Sequence, residues 1–414
     1  MPRHDIVTAL EIGSSKICCL VGEVNEDKDV EIIGKGYSSS RGVKKGVITD
    51  IDEVVRSIEI AVMEAEKVAG FELGSVFTGV KNSSVASFNK SFSVSFSHHD
   101  KVVNDGDVKK LIDQARGLNL SEQRKIMRVV SRGFTLDGTA NDIRNPVGMH
   151  GSSLAVDTHI ITGMDAQLKN IAKVIKMSDL ELDPEGLIFE PLATALSLLS
   201  PEEKDVGTVL IDIGAGTTDV IVYKKGYVLD SYILPIGGNH ITYDIGVAKK
   251  VPLSEAERLK ISYGCALADG FSDSDEQINA ASFAYKDPVK ISRNKLIEIV
   301  YYRLAEIFEH IKKKVDKYAE NGIYLAGVVL TGGVALTPDI DKLSEKILEL
   351  PARIGYPLEL RGLTDIVKNP MYSAAVGLLL KGAQKKSQST NAKTEKVKIK
   401  GYFQKLFNWL SEIF

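Results

Sequence analysis

Polar and apolar residues alternate over the first forty positions in the way that β-strands require. Two apolar runs, at 6–10 and 17–22, flank a turn of small residues at 13–15, and a third strand pattern covers 30–37. From position 50 to 69 the apolar residues recur at helical spacing, and Asp50 stands where a helix cap is expected. The pattern predicts a β-hairpin, a third strand and an amphipathic helix.

The pattern changes over residues 85–160. Spacing typical of a half-exposed strand is found at four apolar positions, Phe88, Phe92, Val94 and Phe96. Residues 107–116 and 121–130 are consistent with two short helices or with a helix and a strand, and residues 145–148 form a turn sequence. We interpret residues 85–162 as a subdomain that is inserted into the surrounding fold.

A second strand–turn–strand pattern, at residues 207–223, repeats the N-terminal hairpin. Residues 211–218 match residues 10–17 position by position, so that Asp212 is the equivalent of Glu11. Helical spacing recurs at four later places, 166–178, 192–199, 254–263 and 295–319. Two similar half-chains indicate a duplicated α/β fold with a cleft between the halves.

The turn of the second hairpin has the composition of a phosphate-binding loop. Asp212 ends a buried strand, and Gly214 and Gly216 allow backbone N–H groups to approach an anion closely. The hydroxyl groups of Thr217 and Thr218 can donate hydrogen bonds to phosphate oxygens. We expect this loop to hold part of a triphosphate.

The first hairpin repeats this design from the other half of the chain. Its turn is formed by three small residues, Gly13, Ser14 and Ser15. Lys16 supplies a cation for phosphate, and Glu11 and Asp212 are predicted to hold Mg²⁺ through its water ligands, because Mg²⁺ dehydrates reluctantly. A single Gly-rich hairpin is more often a plain turn, so the prediction depends on the pair.

A third Gly-rich loop follows the predicted buried strand at 327–331, and Gly332 and Gly333 would allow close approach of an adenosine. Together with connecting helices near 189–195 and 373–377, the three loops resemble the phosphate and adenosine motifs of the actin-like ATPase superfamily. The resemblance implies a duplicated actin-like (ribonuclease-H-like) α/β fold. Its two lobes would surround a cleft that binds ATP and Mg²⁺.

The same resemblance assigns three further residues. It puts Glu257 and Lys260 near the ribose, on one face of a predicted helix, although a solvated surface ion pair is the alternative. It puts Glu190 where superfamily members orient the attacking water, although a cap just before Pro191 is the alternative.

Four short segments narrow the resemblance to the FtsA family of bacterial cell-division proteins: 40–48, 145–148, 261–266 and 360–365. Two departures are Glu11, where the superfamily commonly has Asp, and Thr337-Pro338, where a Gly often stands. The resemblance implies a weak ATPase at most, and mainly an adaptor. Such a protein self-assembles like actin, binds the C-terminal peptide of FtsZ, recruits later divisome proteins and ties the division ring to the membrane.

The resemblance also divides the chain into subdomains. A small lobe at 237–300 (2B) would bind the FtsZ peptide, with Arg293 at a helix start as a candidate contact for acidic groups; an ordinary solvated helix start is the alternative. The other boundaries are 1–84, 163–204 and 361–382 for subdomain 1A, 85–162 for the inserted subdomain 1C, and 205–236 and 301–360 for subdomain 2A.

The last residues of the chain predict a membrane anchor. Residues 383–400 are polar and predict a flexible linker. On a helical wheel of residues 401–414 the apolar side chains share one arc, which includes Phe403, Leu406, Phe407, Trp409, Leu410, Ile413 and Phe414. Such a helix is too short to span a bilayer but suits its interface, and neighbouring lysines attract anionic lipid. Docking on the protein's own core or on a partner is the alternative.

Composition and length limit the other classes of function. The formal net charge of −3 gives no overall attraction for nucleic acid, and the three cysteines lack metal-ligand spacing. A metabolic kinase would need an acceptor base that we cannot identify, and a chaperone ATPase would need a peptide-binding domain after residue 382. A pilus-assembly actin-like module is the closest rival. We expect a peripheral protein on the cytoplasmic side of the cell membrane, at the division septum.

Overall fold

The computed structural model describes residues 5–25, 27–97, 100–267, 276–283, 288–358, 360–363 and 367–394. The first part of the chain forms six strands and one helix: β1 (Asp5–Ile12), β2 (Lys16–Val24), β3 (Val30–Ser39), β4 (Val43–Lys44), β5 (Val47–Ile48), α1 (Ile51–Ala69) and β6 (Ser75–Val80). The Asp50 side chain accepts a hydrogen bond from the Glu53 backbone N–H, and Gly70 ends α1 in a left-handed conformation. The predicted hairpin and helix are confirmed.

The inserted region follows as a small sheet with one helix: β7 (Ala86–Ser95), β8 (Lys101–Val102), α2 (Asp105–Arg116), β9 (Arg124–Leu136), β10 (Ala140–Ile143), β11 (His150–Gly151) and β12 (Ser153–Met164). Of the two interpretations of its middle, a helix and a strand is the one that the structure adopts. The sheet order is β10-β9-β12-β7, and α2 packs on it over a separate apolar core.

The chain then returns to the first lobe and crosses to the second. The elements of this stretch are α3 (Asp165–Met177), β13 (Glu181–Phe189), α4 (Glu190–Leu198), α5 (Pro201–Val206), β14 (Thr208–Ile213), β15 (Thr218–Lys224) and β16 (Tyr227–Leu234). Pro191 lies in the first turn of α4, where a missing N–H has no cost. The helices predicted at 166–178 and 192–199 are thus confirmed within two residues.

The remaining elements complete the second lobe and end with a helix that returns to the first. They are α6 (Gly238–Lys249), α7 (Leu253–Tyr263), β17 (Gln277–Ala280), β18 (Val289–Ser292), α8 (Arg293–Glu320), β19 (Gly327–Thr331), α9 (Ile340–Leu348), β20 (Ala352–Ile354), β21 (Arg361–Gly362) and α10 (Ser373–Thr394). Short 3₁₀ turns lie at Gly333–Leu336 and Pro370–Tyr372.

Each lobe is built on one mixed sheet. The first lobe has the strand order β13-β6-β1-β2-β3-β21, and the second has β16-β15-β14-β19-β20. In the first lobe β6 runs parallel to both β1 and β13, so the carboxyl ends of these three strands meet at one edge. Helices cover both faces of that sheet, with α1 and α3 on one side and α10 with α4 on the other.

The inserted region also contacts the second lobe, along β16. His159, at the centre of this contact, is fully buried. Its Nδ1–H donates to Asn89 Oδ1 at 2.7 Å, and its Nε2 accepts from the Ser231 hydroxyl at 2.7 Å. Because burial lowers the pKa of His159 to about 4, the ring is neutral and keeps this pattern at neutral pH.

The predicted linker is different in the structure. Helix α10 continues without a break to Thr394, so residues 383–394 are helical and not a flexible linker. After Gly382 this stretch has no glycine or proline, and its alanines, glutamines and lysines favour a helix. Lys385 pairs with Glu185 and Lys386 donates to the Ile6 carbonyl, which holds the helix on the first lobe.

The predicted anchor, residues 401–414 with its apolar arc, lies outside the residues that the structure describes. In the described part of the chain, no helix combines the length and the apolar character needed to cross a bilayer.

Candidate functional site

A cavity of about 400 Å³ opens between the two lobes. Both hairpin turns, helix α7 and the loop after β19 contribute to its wall. Most of the predicted nucleotide-binding residues line it: Glu11, Gly13, Ser14, Ser15, Lys16, Asp212, Gly214, Gly216, Thr217, Glu257, Lys260, Gly332 and Gly333. The structure therefore brings together residues that are up to 322 positions apart in the chain, as the pattern of loops predicted.

The two hairpin turns have the same backbone hydrogen bond. The Gly13 N–H donates to the Lys16 carbonyl, and the Gly214 N–H donates to the Thr217 carbonyl, each at 2.9 Å. These are equivalent positions of the internal repeat, so the duplication seen in the sequence extends to the geometry of the turns. The two turns face one another across the cavity.

Two glycines are required by close approach at the cavity wall. A Cβ on Gly216 would collide with the Ser14 side chain of the opposite turn. Gly332 has a φ of +88°, and a Cβ there would collide with the Asp212 carboxylate and the Ile213 carbonyl. Any side chain at either position would push the lobes or the loop apart.

The inner end of the cavity on the first lobe is charged. Because β13, β6 and β1 are adjacent and parallel, the residues at their carboxyl ends come together as Glu190, Lys81 and Glu11. Lys81 Nζ lies 2.9 Å from Glu11 Oε1 and also pairs with Glu190, and Lys16 pairs with Glu11 Oε2. Gly79 leaves room for Glu190, since a Cβ there would collide with its carboxylate.

The two glutamates of this end have opposite pKa shifts. Burial would raise the pKa of Glu11, but the ammonium groups of Lys16 and Lys81 outweigh it and hold that pKa at about 2. For Glu190, burial raises the pKa more than the attraction of Lys81 lowers it. Repulsion from Glu11 raises it further, and the pKa of Glu190 is about 7. Glu11 is therefore ionised at neutral pH, whereas Glu190 can take up or release a proton near neutral pH.

On the second lobe, Asp212 and Asp219 are directly opposite one another in the β14–β15 hairpin. Burial raises the pKa of both carboxyls, and the attraction of Lys81 only partly offsets it. Asp219 Oδ1 is buried and has no hydrogen-bond partner among the described residues. Carboxylate oxygens of Glu190, Asp212 and Asp219 all lie within 4.8 Å of one another.

This cluster of Glu190, Asp212 and Asp219 fits a divalent cation. Oxygen is the donor that Mg²⁺ prefers, and an unpartnered buried carboxylate oxygen is costly unless a cation or hydrogen bond compensates it. The prediction named Glu11 and Asp212 instead. Both oxygens of Glu11 contact lysines, so the arrangement favours the cluster, with Asp212 common to both sets.

The outer end of the cavity carries the Glu257–Lys260 pair on α7. Lys260 Nζ lies 2.6 Å from Glu257 Oε2 and donates to Thr242 Oγ1 at 2.9 Å, and the Thr242 hydroxyl also contacts Glu257. Glu257 is 39% exposed and Lys260 14% exposed. The pair is thus preformed and partly open to solvent, with polar atoms directed at the cavity.

Three predicted residues lie elsewhere. Thr218 does not line the cavity, because its buried hydroxyl donates to the Ile236 carbonyl at 2.8 Å. Glu190 is fully buried and does not line the cavity, but it pairs with Lys81 and its carboxylate lies within 4.8 Å of that of Asp212, and both of these residues line the cavity. Arg293 begins α8, outside the cavity, and pairs with Glu276 at 3.0 Å.

The sequence interpretation missed two residues of the site, Lys81 and Asp219. Lys81 comes directly after the buried strand β6, and a lysine in that position was a usable signal. Asp219 lies within the strand–turn–strand pattern at 207–223, and the symmetry of a two-stranded hairpin places it opposite Asp212. Both residues were visible in the sequence, but their relation to the other carboxylates was not.

The sequence is similar to those of known cell division proteins. Residues 209–377 match the family described as Cell division protein FtsA, and residues 82–162 match the SHS2 domain inserted in FTSA. Cell division protein FtsA of Pseudomonas aeruginosa is 36% identical over 382 residues, which are 92% of this chain and 90% of that protein. Cell division protein FtsA of Escherichia coli strain K12 is 32% identical over 421 residues, covering 99% and 98%.

The fold is similar to those of several solved structures. A chain of the PilM-PilN type IV pilus biogenesis complex aligns with a TM-score of 0.66 at 14% identity, over 91% of this chain and 98% of its own. MreB 5 of Spiroplasma citri bound to AMPPNP aligns with a TM-score of 0.56 at 15% identity, over 94% and 100%. At these identities the likeness shows the fold alone, and the predicted actin-like fold is confirmed.

Proposed function

This chain belongs to the FtsA family of cell division proteins, and we propose that it binds ATP with Mg²⁺, assembles with copies of itself, and ties FtsZ to the cytoplasmic face of the cell membrane at the septum. The observation that carries the nucleotide part is the convergence of two matched Gly-rich turns, α7 and the Gly332 loop on one cavity. The pilus-assembly alternative is not favoured, since the curated relatives quoted above are all cell division proteins.

The polarity of the cavity supports one orientation of the nucleotide. The triphosphate would lie between the two turns, where backbone N–H groups and Lys16 can meet its oxygens. The adenosine would lie toward Gly332 and Gly333, with its ribose near Glu257 and Lys260. The glycines at these points allow the main chain to approach the ligand without side-chain interference.

Asp212, Asp219 and Glu190 would hold the Mg²⁺, directly or through its waters. When bound, the ion neutralises charge on the phosphate oxygens. Glu11 would act indirectly, because its carboxylate fixes Lys16 and Lys81 in the positions they have at the cavity wall.

We expect ATP hydrolysis to be slow, with Glu190 as the residue that orients the attacking water. Glu190→Gln should lower single-turnover hydrolysis about tenfold or more while ATP binding persists. Hydrolysis at the wild-type rate in Glu190→Gln would leave the residue with a purely structural role.

Calorimetric titration with MgATP tests the nucleotide site. Asp212→Ala removes a carboxylate shared by both candidate metal sets and should weaken binding about 100-fold, since it deletes a charge-assisted contact to the ion. Asp113→Ala, an exposed substitution on α2, is the matched control and should bind as the wild type does. Equal MgATP affinity in Asp212→Ala and the wild type would contradict the assignment.

Membrane attachment is proposed from the sequence of residues 401–414. Their apolar arc would lie in the bilayer interface, and lysines at 396, 398, 400 and 405 would add about 1 kcal/mol each on anionic lipid. Trp409→Glu puts a charge inside the arc and should abolish flotation with anionic liposomes. Ser411→Glu, on the polar side, is the control and should still float. Flotation of a chain that lacks 401–414 would move the anchor elsewhere.

The FtsZ C-terminal peptide is proposed to bind the small lobe at 237–300. Several large apolar side chains there are exposed, among them Tyr243, Val247 and Ile261. Arg293 is a weaker candidate than the sequence indicated, because Glu276 already pairs with it. Arg293→Glu should therefore reduce FtsZ capture modestly, and Tyr243→Asp should reduce it more. Undiminished capture by both variants would place the peptide on another surface; recruitment of later divisome proteins remains a proposal from the family.

A further inference from the structure

Lys81 is placed by the strand order of the first lobe. Strand β6 lies between β13 and β1, so the residue after its last position stands between Glu190 and Glu11. Its ammonium group contacts both carboxylates, and its side chain is only 12% exposed. It still lines the cavity, so a ligand entering between the lobes meets it.

The charges around Lys81 are not balanced. Four buried carboxylates, Glu11, Glu190, Asp212 and Asp219, face two ammonium groups, those of Lys16 and Lys81. Lys16 contacts Glu11 on the oxygen that Lys81 does not use. Burial raises the pKa of each of the other three carboxyls, and Lys81 is the cation that lowers each of these pKa values most. Fully ionised, the group has an excess of two negative charges, which one divalent cation would cancel.

We propose that Lys81 is an internal counter-cation of the Glu190–Asp212–Asp219 cluster, which keeps free Mg²⁺ from binding tightly before the nucleotide arrives. The metal then enters together with the phosphates, and their oxygens receive the displaced ammonium group. This inference rests on the proposed function for the role of ATP, but the competition between Lys81 and a divalent cation is a property of the chain alone.

The physical basis is the repulsion between two cations that share the same oxygens. An ammonium group and Mg²⁺ cannot both contact Glu190 at short range without strong repulsion, because the site is buried and poorly screened. Removal of the ammonium should increase the affinity for the divalent ion. A triphosphate reverses this balance, since it brings more negative charge than one Mg²⁺ neutralises.

Titration of the nucleotide-free full-length protein with Mn²⁺, followed by electron paramagnetic resonance, measures this competition directly. Lys81→Met should bind Mn²⁺ at least about tenfold more tightly than the wild type. Lys81→Arg keeps the charge and should bind as the wild type does. Lys169→Met, which removes an exposed lysine on α3, controls for the change in net charge. Mg²⁺ should displace the bound Mn²⁺ in each variant.

Mn²⁺ affinity in Lys81→Met that is equal to or weaker than that of the wild type overturns the proposal. If this variant does not fold without metal, Lys81→Gln keeps an uncharged hydrogen-bond donor on a side chain one bond shorter, and the same tenfold criterion applies to it. A parallel titration of the wild type with MgATP separates the two ideas. Loss of the Mn²⁺ effect with normal ATP binding refutes the role of Lys81 alone, and a Mn²⁺ effect without ATP binding refutes the proposed nucleotide function alone.

Discussion

The two hairpins that face each other across the cavity have the same backbone geometry at their turns but carry different charges. In the first, Glu11 lies opposite Cys18, and in the second, Asp212 lies opposite Asp219. Burial raises the pKa of the Cys18 thiol to about 11, so this partner is neutral at physiological pH. One hairpin therefore presents a single carboxylate with two lysines around it, and the other presents two carboxylates with none in its own turn.

This difference indicates how a duplicated fold can divide its work. The first hairpin is electrostatically complete, since its anion is compensated within its own lobe and has a pKa of about 2. The second keeps two carboxyls of raised pKa, which a cation from outside would stabilise. On the proposed function, the repeat would preserve a turn that holds phosphate, and the metal would be held chiefly by one copy.

The largest expected effect comes from the compensated hairpin. Glu11→Gln leaves Lys16 and Lys81 buried with one partner fewer and should lower the free energy of unfolding by about 3–5 kcal/mol. Urea unfolding of the nucleotide-free protein measures it. Glu59→Gln on the exposed face of α1 is the control and should change the stability by less than about 0.5 kcal/mol. An equally small change for Glu11→Gln would contradict the claim that the lysine ion pairs of Glu11 stabilise the first hairpin.

The comparison also requires that the hairpins stay in place, and His159 tests the contact that connects the inserted region to the second lobe. Its pKa is lowered in the folded state, so between about pH 6.5 and pH 4 the unfolded chain binds a proton at this residue and the folded chain does not. Stability should therefore fall as the pH drops from 6.5 to 4, by about 3 kcal/mol from this residue.

Unfolding curves of the wild type and His159→Gln across that pH range isolate the contribution. The glutamine can still contact Asn89 or Ser231 but cannot titrate, so the variant should lose less stability in acid. His150→Gln, at an exposed histidine, should follow the wild type. Parallel curves for His159→Gln and the wild type would show that the contact opens before the ring is protonated.

The sharpest test of the two hairpins is the same carboxylate-to-amide change in the second one. Asp219→Asn removes a buried carboxyl without a hydrogen-bond partner on one oxygen and should stabilise the metal-free protein by about 1–3 kcal/mol at pH 8. Since the folded pKa is raised, the gain should shrink toward pH 4. Urea unfolding with a chelator present measures this gain in stability. If Asp219→Asn instead destabilised the protein at pH 8, the two hairpins would respond alike and the comparison would fail.

The smallest effect should lie at the outer end of the cavity. Glu257 is part-exposed and its pair with Lys260 is screened, so Glu257→Gln should weaken ATP binding only about threefold. Calorimetry measures it under the same conditions as for Asp212→Ala. A loss above about 30-fold would mean that the ribose end, and not the phosphate end, dominates binding.

Local patterns in the sequence predicted most of the fold. The strand predicted at 327–331 has these bounds in the structure, because an apolar run ended by two glycines leaves few alternatives. The helix predicted at 295–319 is α8, which extends a little further at its start, where Ser292 caps it. The length of α10 was missed, since polar composition was interpreted as flexibility although nothing in it prevents a helix.

The site was harder to predict because its charges meet through strand order. The residues at the carboxyl ends of β13, β6 and β1 are far apart in the chain, and no local sequence pattern shows that these strands are adjacent in the sheet. The metal pair was therefore chosen from the two repeated turns, which left out Lys81 and Asp219. Where backbone loops form the wall, as at Gly214 and Gly332, the composition of each loop was sufficient.

Helix α10 has a mechanical consequence for whatever the end of the chain binds. Beyond Lys386, the last residue with a contact to the first lobe that is described above, the helix continues for eight residues to Thr394, a length of about 12 Å. A helix of this kind is a lever arm and not a tether. An attachment point directly at its end would set both the distance of the lobes from the attached surface and their tilt.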